Sequence, residues 1–158
     1  MTAEHDAFAL PAELETNLLR VLTHWRGLVR GYAEMPYWDD FAPAALAEVQ
    51  HDTILADVFP DPLRFRFRIV GKNIVARYGA EFAGKFHDEI ALHAPLDRLD
   101  AQCAAAVQSR RPTYFRMDAP QSGAKAAAPY ARLVLPMWGN GRVEMLLVAV
   151  APAGAGGR

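Results

Sequence analysis

The sequence is poor in the residues that mark several common chemistries. It contains one cysteine, Cys103, which excludes an internal disulfide and is compatible with a reducing compartment. Its two serines, Ser109 and Ser122, both lack the setting of a hydrolase nucleophile. Phosphate-binding loops and dinucleotide-binding glycine patterns are also missing from the sequence. Serine hydrolases and nucleotide-hydrolysing enzymes are therefore excluded.

Excess charge and long apolar runs are scarce as well. The 158 residues carry 17 basic and 18 acidic side chains, a net charge of -1, so we expect no nucleic acid partner. The longest strongly apolar run, 145–152, is far shorter than the roughly 20 residues of a membrane-spanning helix. The first residues lack the apolar core of a secretory signal. The sequence therefore predicts one cytoplasmic domain with a hydrophobic core and no membrane partner.

The alternating stretch 63–71 is the clearest signal of secondary structure. Phe65, Phe67 and Ile69 occupy every second position, and arginines stand between them. Because successive side chains of a strand point to opposite faces, the pattern predicts a half-buried antiparallel strand. Its apolar residues would line one face of a sheet. The other face would carry Arg64, Arg66 and Arg68.

Similar patterns assign the other elements. Apolar spacing of three and four predicts an amphipathic helix over 11–30 with the stripe Leu14, Leu18, Val21, Leu22, Trp25, Leu28 and Val29. Gly139-Asn140-Gly141 predicts a tight hairpin turn. The remaining predicted elements are a short helix over 40–49, strands over 53–59 and 63–70, a short helix over 72–78, a short turn-rich element over 81–90, a longer helix over 94–109, and strands over 113–118, 129–137 and 142–150.

Two strands, a run of short helices, a longer helix and three strands follow the order of the PAS fold. Strings that agree with PAS sequences are Leu55-Ala56-Asp57-Val58, Arg64 through Gly71, Ile74-Val75, Tyr78-Gly79, Gly84, and Tyr130 through Pro136, with Trp25 and 35–43 upstream. Over roughly residues 20–150, the chain resembles the family of small bacterial proteins in which a PAS domain makes up nearly the whole chain. That family usually has a threonine where this chain has Ala83.

The resemblance implies an α+β PAS fold, in which a five-stranded antiparallel sheet carries helices on its inner face and an amphipathic helix precedes it. Residues 51–152 would form the PAS domain and 11–50 a helical extension. Residues 1–10 and 153–158 are predicted to be disordered ends.

The resemblance also implies a function. It predicts a non-catalytic sensory or regulatory domain that surrounds a small cavity and transmits a ligand or partner signal in bacterial signalling. Two alternatives stay open. One is a small-molecule enzyme with a helix-plus-curved-sheet cavity, in which Tyr78, Asp88 or His93 would do acid–base chemistry. The other is a ligand-free adaptor for protein interactions.

Strand parity predicts which side chains face the cavity. The expected inward set is Phe65, Phe67, Phe115, Leu133, Leu135, Met145 and Leu147 from strands, with Ile74, Tyr78, Phe82, Phe86 and Val107 from helices. A mostly apolar pocket with a few polar groups is typical of small-molecule sites. The candidate ligand-binding residues are Phe65, Phe67, Tyr78, Phe86, His93, Val107, Phe115, Leu133 and Met145.

No cofactor is identified by the sequence, and no metal site is predicted. His87 and His93 are six positions apart, whereas a helical pair of metal ligands needs a spacing of three or four. His93 would be the axial ligand if the pocket held haem. Cys103 is interpreted as a small buried hydrophobic residue, since its surroundings lack the motif of light-sensing flavin PAS domains.

The stripe of the 11–30 helix needs a covering surface, because it lies outside the PAS core. Parity predicts an outer strip of Val134, Leu146 and Val148, edged by Arg66, Arg68, Arg132 and Glu144. The helix would dock there on its own sheet or on that of a second copy. We expect a homodimer with this helix at or beside the interface.

Overall fold

The computed structural model describes residues 7–118, 121–122, 125–126 and 128–153. The α-helices are α1 (Thr16–Gly27), α2 (Lys72–Tyr78) and α3 (Leu99–Ser109). The strands are β1 (Thr53–Phe59), β2 (Arg64–Val70), β3 (Thr113–Met117), β4 (Gln121–Ser122), β5 (Lys125–Ala126), β6 (Tyr130–Gly139) and β7 (Arg142–Pro152). Helical segments of the 3-10 type cover Trp38–Asp40, Pro43–Asp52 and His87–Glu89.

Five strands form one antiparallel sheet in the order β2-β1-β7-β6-β3, and β4 pairs with β5. The predicted α+β class and five-stranded antiparallel sheet are confirmed. The turn between β6 and β7 is a two-residue loop, because Gly139 pairs with Arg142. Asn140 and Gly141 have φ values of 51° and 77°, which are the positive values of a type I′ hairpin turn.

Strand register divides the side chains between two faces. Residues paired across antiparallel strands share a face, and we call the face of Phe65 and Phe67 the inner face. Its other members are Ala56, Val58, Phe115, Tyr130, Arg132, Val134, Leu146 and Val148. Helix α3 packs on this face, and the Phe82 ring, which follows α2, contacts Phe67 there. The outer face carries Leu55, Asp57, Tyr114, Leu133, Leu135, Met145 and Leu147, and α1 packs on it.

The predicted phase of β6 and β7 is therefore wrong. Leu133, Leu135, Met145 and Leu147 lie on the outer face, whereas the inner face carries Val134, Leu146, Val148 and Arg132. Both strands are buried along nearly their whole length. A strand covered on both faces is apolar at almost every position, so its periodicity carries no information about which face is which.

Ile69 also departs from the alternating pattern of its strand. The register shifts at Leu55 and Ala56, which pair with Ile69 and Phe67 respectively, so Arg68 is an extra residue without a partner. Such a β-bulge reverses the alternation beyond it. Ile69 therefore lies on the opposite face of the sheet from Phe67, with 48% of its surface exposed.

Three helices in the structure differ from the predicted ones in where they begin or in how they continue. The helix predicted from residue 11 begins at Thr16, because Glu15 has extended torsions (φ -55°, ψ 145°). The helix predicted from residue 94 begins at Leu99, because Arg98 is left-handed with φ 56°. The helix predicted over 40–49 is instead two 3-10 segments, and Ala47 breaks the second one with φ 54°. Neither extended torsions nor a positive φ can continue a right-handed helix.

The predicted disordered ends are wrong where they are described. Phe8 is buried at 1% exposure, and its carbonyl accepts a hydrogen bond of 2.8 Å from the Tyr114 amide. The Ala153 amide donates to the Pro129 carbonyl at 3.2 Å. Residues 1–6 and 154–158 lie outside the described residues.

Candidate functional site

A buried arginine occupies the inner face of β6. Arg132 is fully inaccessible to solvent. Its Nε donates to Gln102 Oε1 (2.7 Å), Nη1 to the Pro95 carbonyl (2.8 Å) and Nη2 to the Asp97 carbonyl (2.7 Å). The Phe115 ring lies 4.7 Å from the guanidinium carbon. Across the described part of the chain no carboxylate is within ion-pair distance of this guanidinium, so every acceptor is neutral.

Tyr130 and Asp97 extend this arrangement. The buried Tyr130 hydroxyl donates to Asp97 Oδ2 at 2.6 Å and accepts from the Asp97 amide at 3.2 Å. Burial, followed by the hydrogen bond with Asp97, raises the pKa of Tyr130. Burial lowers the pKa of Arg132, although a guanidinium stays charged at neutral pH. We call Asp97, Gln102, Tyr130 and Arg132 the polar core, which ties β6 to α3 and to the segment before it.

Sequence reasoning missed the polar core. Arg132 was predicted on the outer face, and Asp97, Gln102 and Tyr130 were not predicted as site residues. One signal was available. A single arginine within the apolar run 130–136 is unusual for a strand with a solvated face, and it indicates a charged side chain held by specific partners in the interior.

Four aromatic rings form a row from the sheet towards the surface. The ring centroids of Phe67 and Phe82 are 4.8 Å apart, those of Phe82 and Tyr78 are 4.7 Å apart, and those of Tyr78 and His93 are 4.3 Å apart. The last two rings are stacked within 3° of parallel. We call these residues the aromatic row. The structure thus brings together three predicted site residues, Phe67, Tyr78 and His93.

The chemistry of the aromatic row is that of packing and stacking. The Tyr78 hydroxyl donates to the Ala91 carbonyl at 2.7 Å. Burial raises the pKa of Tyr78, so its phenol stays protonated at neutral pH. Such a group is poorly suited to the acid–base role predicted by the enzyme alternative.

The other predicted site residues are dispersed. Phe86 lies beneath the Arg64 guanidinium, 3.8 Å from the ring centroid to the guanidinium carbon, at the β2 edge. Arg64 also holds Asp88 through contacts of 2.7 and 2.8 Å. The buried Phe65 amide donates to His87 Nδ1 at 3.2 Å. Phe86 and Asp88 are therefore engaged at the rim of the sheet.

Leu133 and Met145 are separated from the remaining candidates. Both lie on the outer face towards α1, since their register pairs them with other outer-face residues. A pocket that includes Leu133 and Phe67 is therefore wrong. Phe115 lies against Arg132 on the inner face, and Val107 of α3 is half-buried against the core.

The possible metal ligands among the described residues are scattered. None of their histidine, cysteine and acidic side chains form a group of three or more that could hold a metal ion. Burial raises the pKa of the Cys103 thiol to about 12, which keeps it unreactive. Among the same residues, helices that combine the length and apolarity needed to cross a membrane are absent.

Comparison with models of protein families finds no match, and comparison with curated proteins finds none either. The residues, their packing and the resemblance of the sequence to PAS proteins are therefore the grounds for a functional conclusion.

We expect the protein to lose stability as the pH rises above about 10, the ordinary value for tyrosine. The pKa of Tyr130 is raised in the folded state, and that of Tyr114 is raised to about 12. Above the pKa of free tyrosine, the folded chain keeps protons that the unfolded chain releases. The free energy of unfolding is therefore undiminished at a pH below that pKa and falls as the pH rises above it. Urea unfolding measured at several alkaline pH values tests this.

The variant Tyr130→Phe should flatten this alkaline loss, because it removes the hydroxyl that resists ionisation. Tyr32→Phe is the control, since Tyr32 is fully exposed and has no buried contact to lose. If the free energy of unfolding fell equally steeply with alkaline pH in wild-type protein and in Tyr130→Phe, the role given to Tyr130 would be contradicted.

Proposed function

We propose that this chain is a non-catalytic sensory or regulatory PAS-type domain, acting in the cytoplasm, that binds a small ligand or a protein partner in bacterial signalling. The order of its main elements supports this proposal, because it is the order that the resemblance implies. The five-stranded antiparallel sheet with α3 packed on the inner face supports it as well.

The observation that carries the proposal is the polar core and the aromatic row on the same sheet face. A buried guanidinium is costly to desolvate, and neutral acceptors compensate it less well than an anion does. An anionic or carbonyl group of a ligand would compete strongly with Gln102 and the two backbone carbonyls for the hydrogen bonds of the Arg132 guanidinium. The aromatic rings on the same face of the sheet suit an apolar ligand body.

Displacement of these acceptors would have a consequence at the surface. The carbonyls of Pro95 and Asp97 belong to the segment that enters α3, and Arg132 holds both of them. A ligand that takes over the guanidinium releases this segment. Ligand occupancy would thereby be coupled to the position of α3, which is what a regulatory domain requires.

Native mass spectrometry of protein purified without added cofactor tests the proposal. A retained small molecule that is lost in Arg132→Lys would support it, because lysine keeps the charge but lacks the planar fork of donors. Protein that carries only its own mass would contradict the ligand-binding form and favour the ligand-free adaptor.

The homodimer stays a proposal. Helix α1 buries Leu18, Val21, Leu22 and Trp25, and Trp25 Nε1 donates to the Pro136 carbonyl of the same chain at 2.9 Å. The stripe is thus covered within one chain, so an uncovered stripe no longer argues for a second copy. Leu19, with 48% exposure, is the apolar residue that α1 still offers. Sedimentation equilibrium of the full chain decides between one and two copies.

A further inference from the structure

Three clefts adjoin one another where the C-terminal ends of α1 and α3 meet. Their volumes are about 240, 290 and 390 Å³. The first two clefts share Glu34 and Arg110 as lining residues. The second and third share Arg26, Ser109, Arg111 and Pro112. The clefts therefore form one continuous depression, which we call the arginine groove.

The arginine groove concentrates positive charge in a protein of net charge -1. Its charged lining residues are Arg26, Arg110, Arg111 and Glu34, which is three cations against one anion. Within the described ranges, Arg26 and Arg111 take part in none of the ion pairs. Arg110 and Glu34 are 3.8 Å apart and mostly exposed, so their attraction is weak and easily exchanged.

One end of the groove is aromatic. Tyr32, Tyr37 and Trp138 line it together with Met35. Tyr32 is fully exposed, and the Arg110 guanidinium carbon lies 5.1 Å from the centroid of the Trp138 ring. Helix dipoles explain cations at helix C-termini, but they do not explain exposed rings beside them. Rings next to guanidinium groups are typical of protein interaction surfaces.

The backbone conformation of Arg110 is a further sign that this surface has a function. Arg110 follows the last residue of α3 with φ 60°, a left-handed position that usually belongs to glycine. An arginine there is conformationally disfavoured, and its side chain reaches Trp138 and Glu34 from that position.

We propose that the arginine groove binds an acidic, extended segment of a partner protein. Carboxylates of the segment would pair with Arg26, Arg110 and Arg111, because guanidinium and carboxylate match in charge and in bidentate geometry. An apolar or aromatic side chain of the segment occupies the cleft of Tyr32 and Trp138. This inference rests on the proposed partner-binding role and names the chemical class of the partner.

Fluorescence anisotropy with the full chain tests the inference. The probe is a fluorescein-labelled peptide with glutamates on both sides of one tryptophan, and a peptide with lysines in place of the glutamates is its counterpart. We expect binding of the acidic peptide alone, weakening as salt is added. The variant Arg26→Gln/Arg111→Gln should weaken binding about tenfold or more.

Lys72→Gln/Arg77→Gln is the matched control, because it removes the same charge elsewhere. Arg77 lies in the last turn of α2 as Arg26 lies in the last turn of α1. This control should bind the acidic peptide as the wild type does. In nitrogen-15 NMR spectra, the peptide should shift the Trp138 indole signal and the amide signals of Arg110 and Arg111.

Three results would overturn the inference. They are no binding of the acidic peptide at low ionic strength, equal weakening in the control variant, and equally tight binding of ATP with the same shifted signals, which would make the groove a general anion site. Peptide binding by protein without a retained small molecule would leave the inference standing while the ligand-binding function fails. A retained molecule without peptide binding would do the reverse.

Discussion

Arg132→Met should lower the free energy of unfolding by about 3 kcal/mol or more, because three buried neutral acceptors lose their donor. The substitution leaves the Gln102 side chain and the carbonyls of Pro95 and Asp97 without their donor. Each unsatisfied buried group costs about 1–3 kcal/mol, and methionine supplies no hydrogen bond in return. Urea unfolding followed by circular dichroism measures the loss.

A double-mutant cycle separates the polar core from simple packing. Gln102→Leu alone removes the acceptor of Arg132 Nε, while the double variant removes both partners of that bond. The double variant should be about 0.5–3 kcal/mol more stable than the sum of the single losses predicts. Additive losses, or an Arg132→Met variant as stable as wild type, would mean that the polar core does not hold α3 to β6. Arg77→Met, at an exposed position of α2, is the control for loss of an arginine.

Leu22→Asp should be the most damaging change in α1. Leu22 is 2% exposed between α1 and the outer face of the sheet. The variant loses the packing of a leucine, about 2–5 kcal/mol, and also places a carboxylate where neither water nor a donor reaches it. Since a domain is stable by only about 5–15 kcal/mol, we expect a largely unfolded or aggregating protein. Thermal melting followed by circular dichroism measures this.

Thr23→Asp provides the comparison on the same helix. Thr23 is exposed beside Leu22, so the same carboxylate there stays hydrated. Its free energy of unfolding should lie within about 0.5 kcal/mol of wild type. If Leu22→Asp melted like Thr23→Asp, α1 would not pack on the sheet through this face.

Residues close together in the sequence were enough to predict several elements of secondary structure. The bounds of β1 and α2 were predicted as they occur, because turn formers and glycines flank both segments. Gly79 ends α2 with φ 98°, as expected of a left-handed glycine. The hairpin turn at Asn140 likewise follows from residues that tolerate positive φ. All of these signals act within a few residues of the chain.

The candidate site was predicted only in part. Phe67, Tyr78 and His93 were candidates, and they lie together because β2 alternates clearly and α2 follows it directly. Arg132 was placed on the wrong face, because the apolar run of β6 holds no alternation that sets its phase. Its acceptors Gln102 and Asp97 are 30 and 35 residues away, and nothing local marks them.

Periodicity and turn residues were thus enough for the order of the main elements and for most strand bounds, because each is encoded within a short window of sequence, whereas the α+β class was implied by the resemblance. Tertiary packing decided the phase of β6 and β7 and the burial of Arg132, since pairing between distant strands sets the register. It also decided what covers α1. An apolar stripe requires burial but does not specify its partner, and here the chain's own sheet provides that surface.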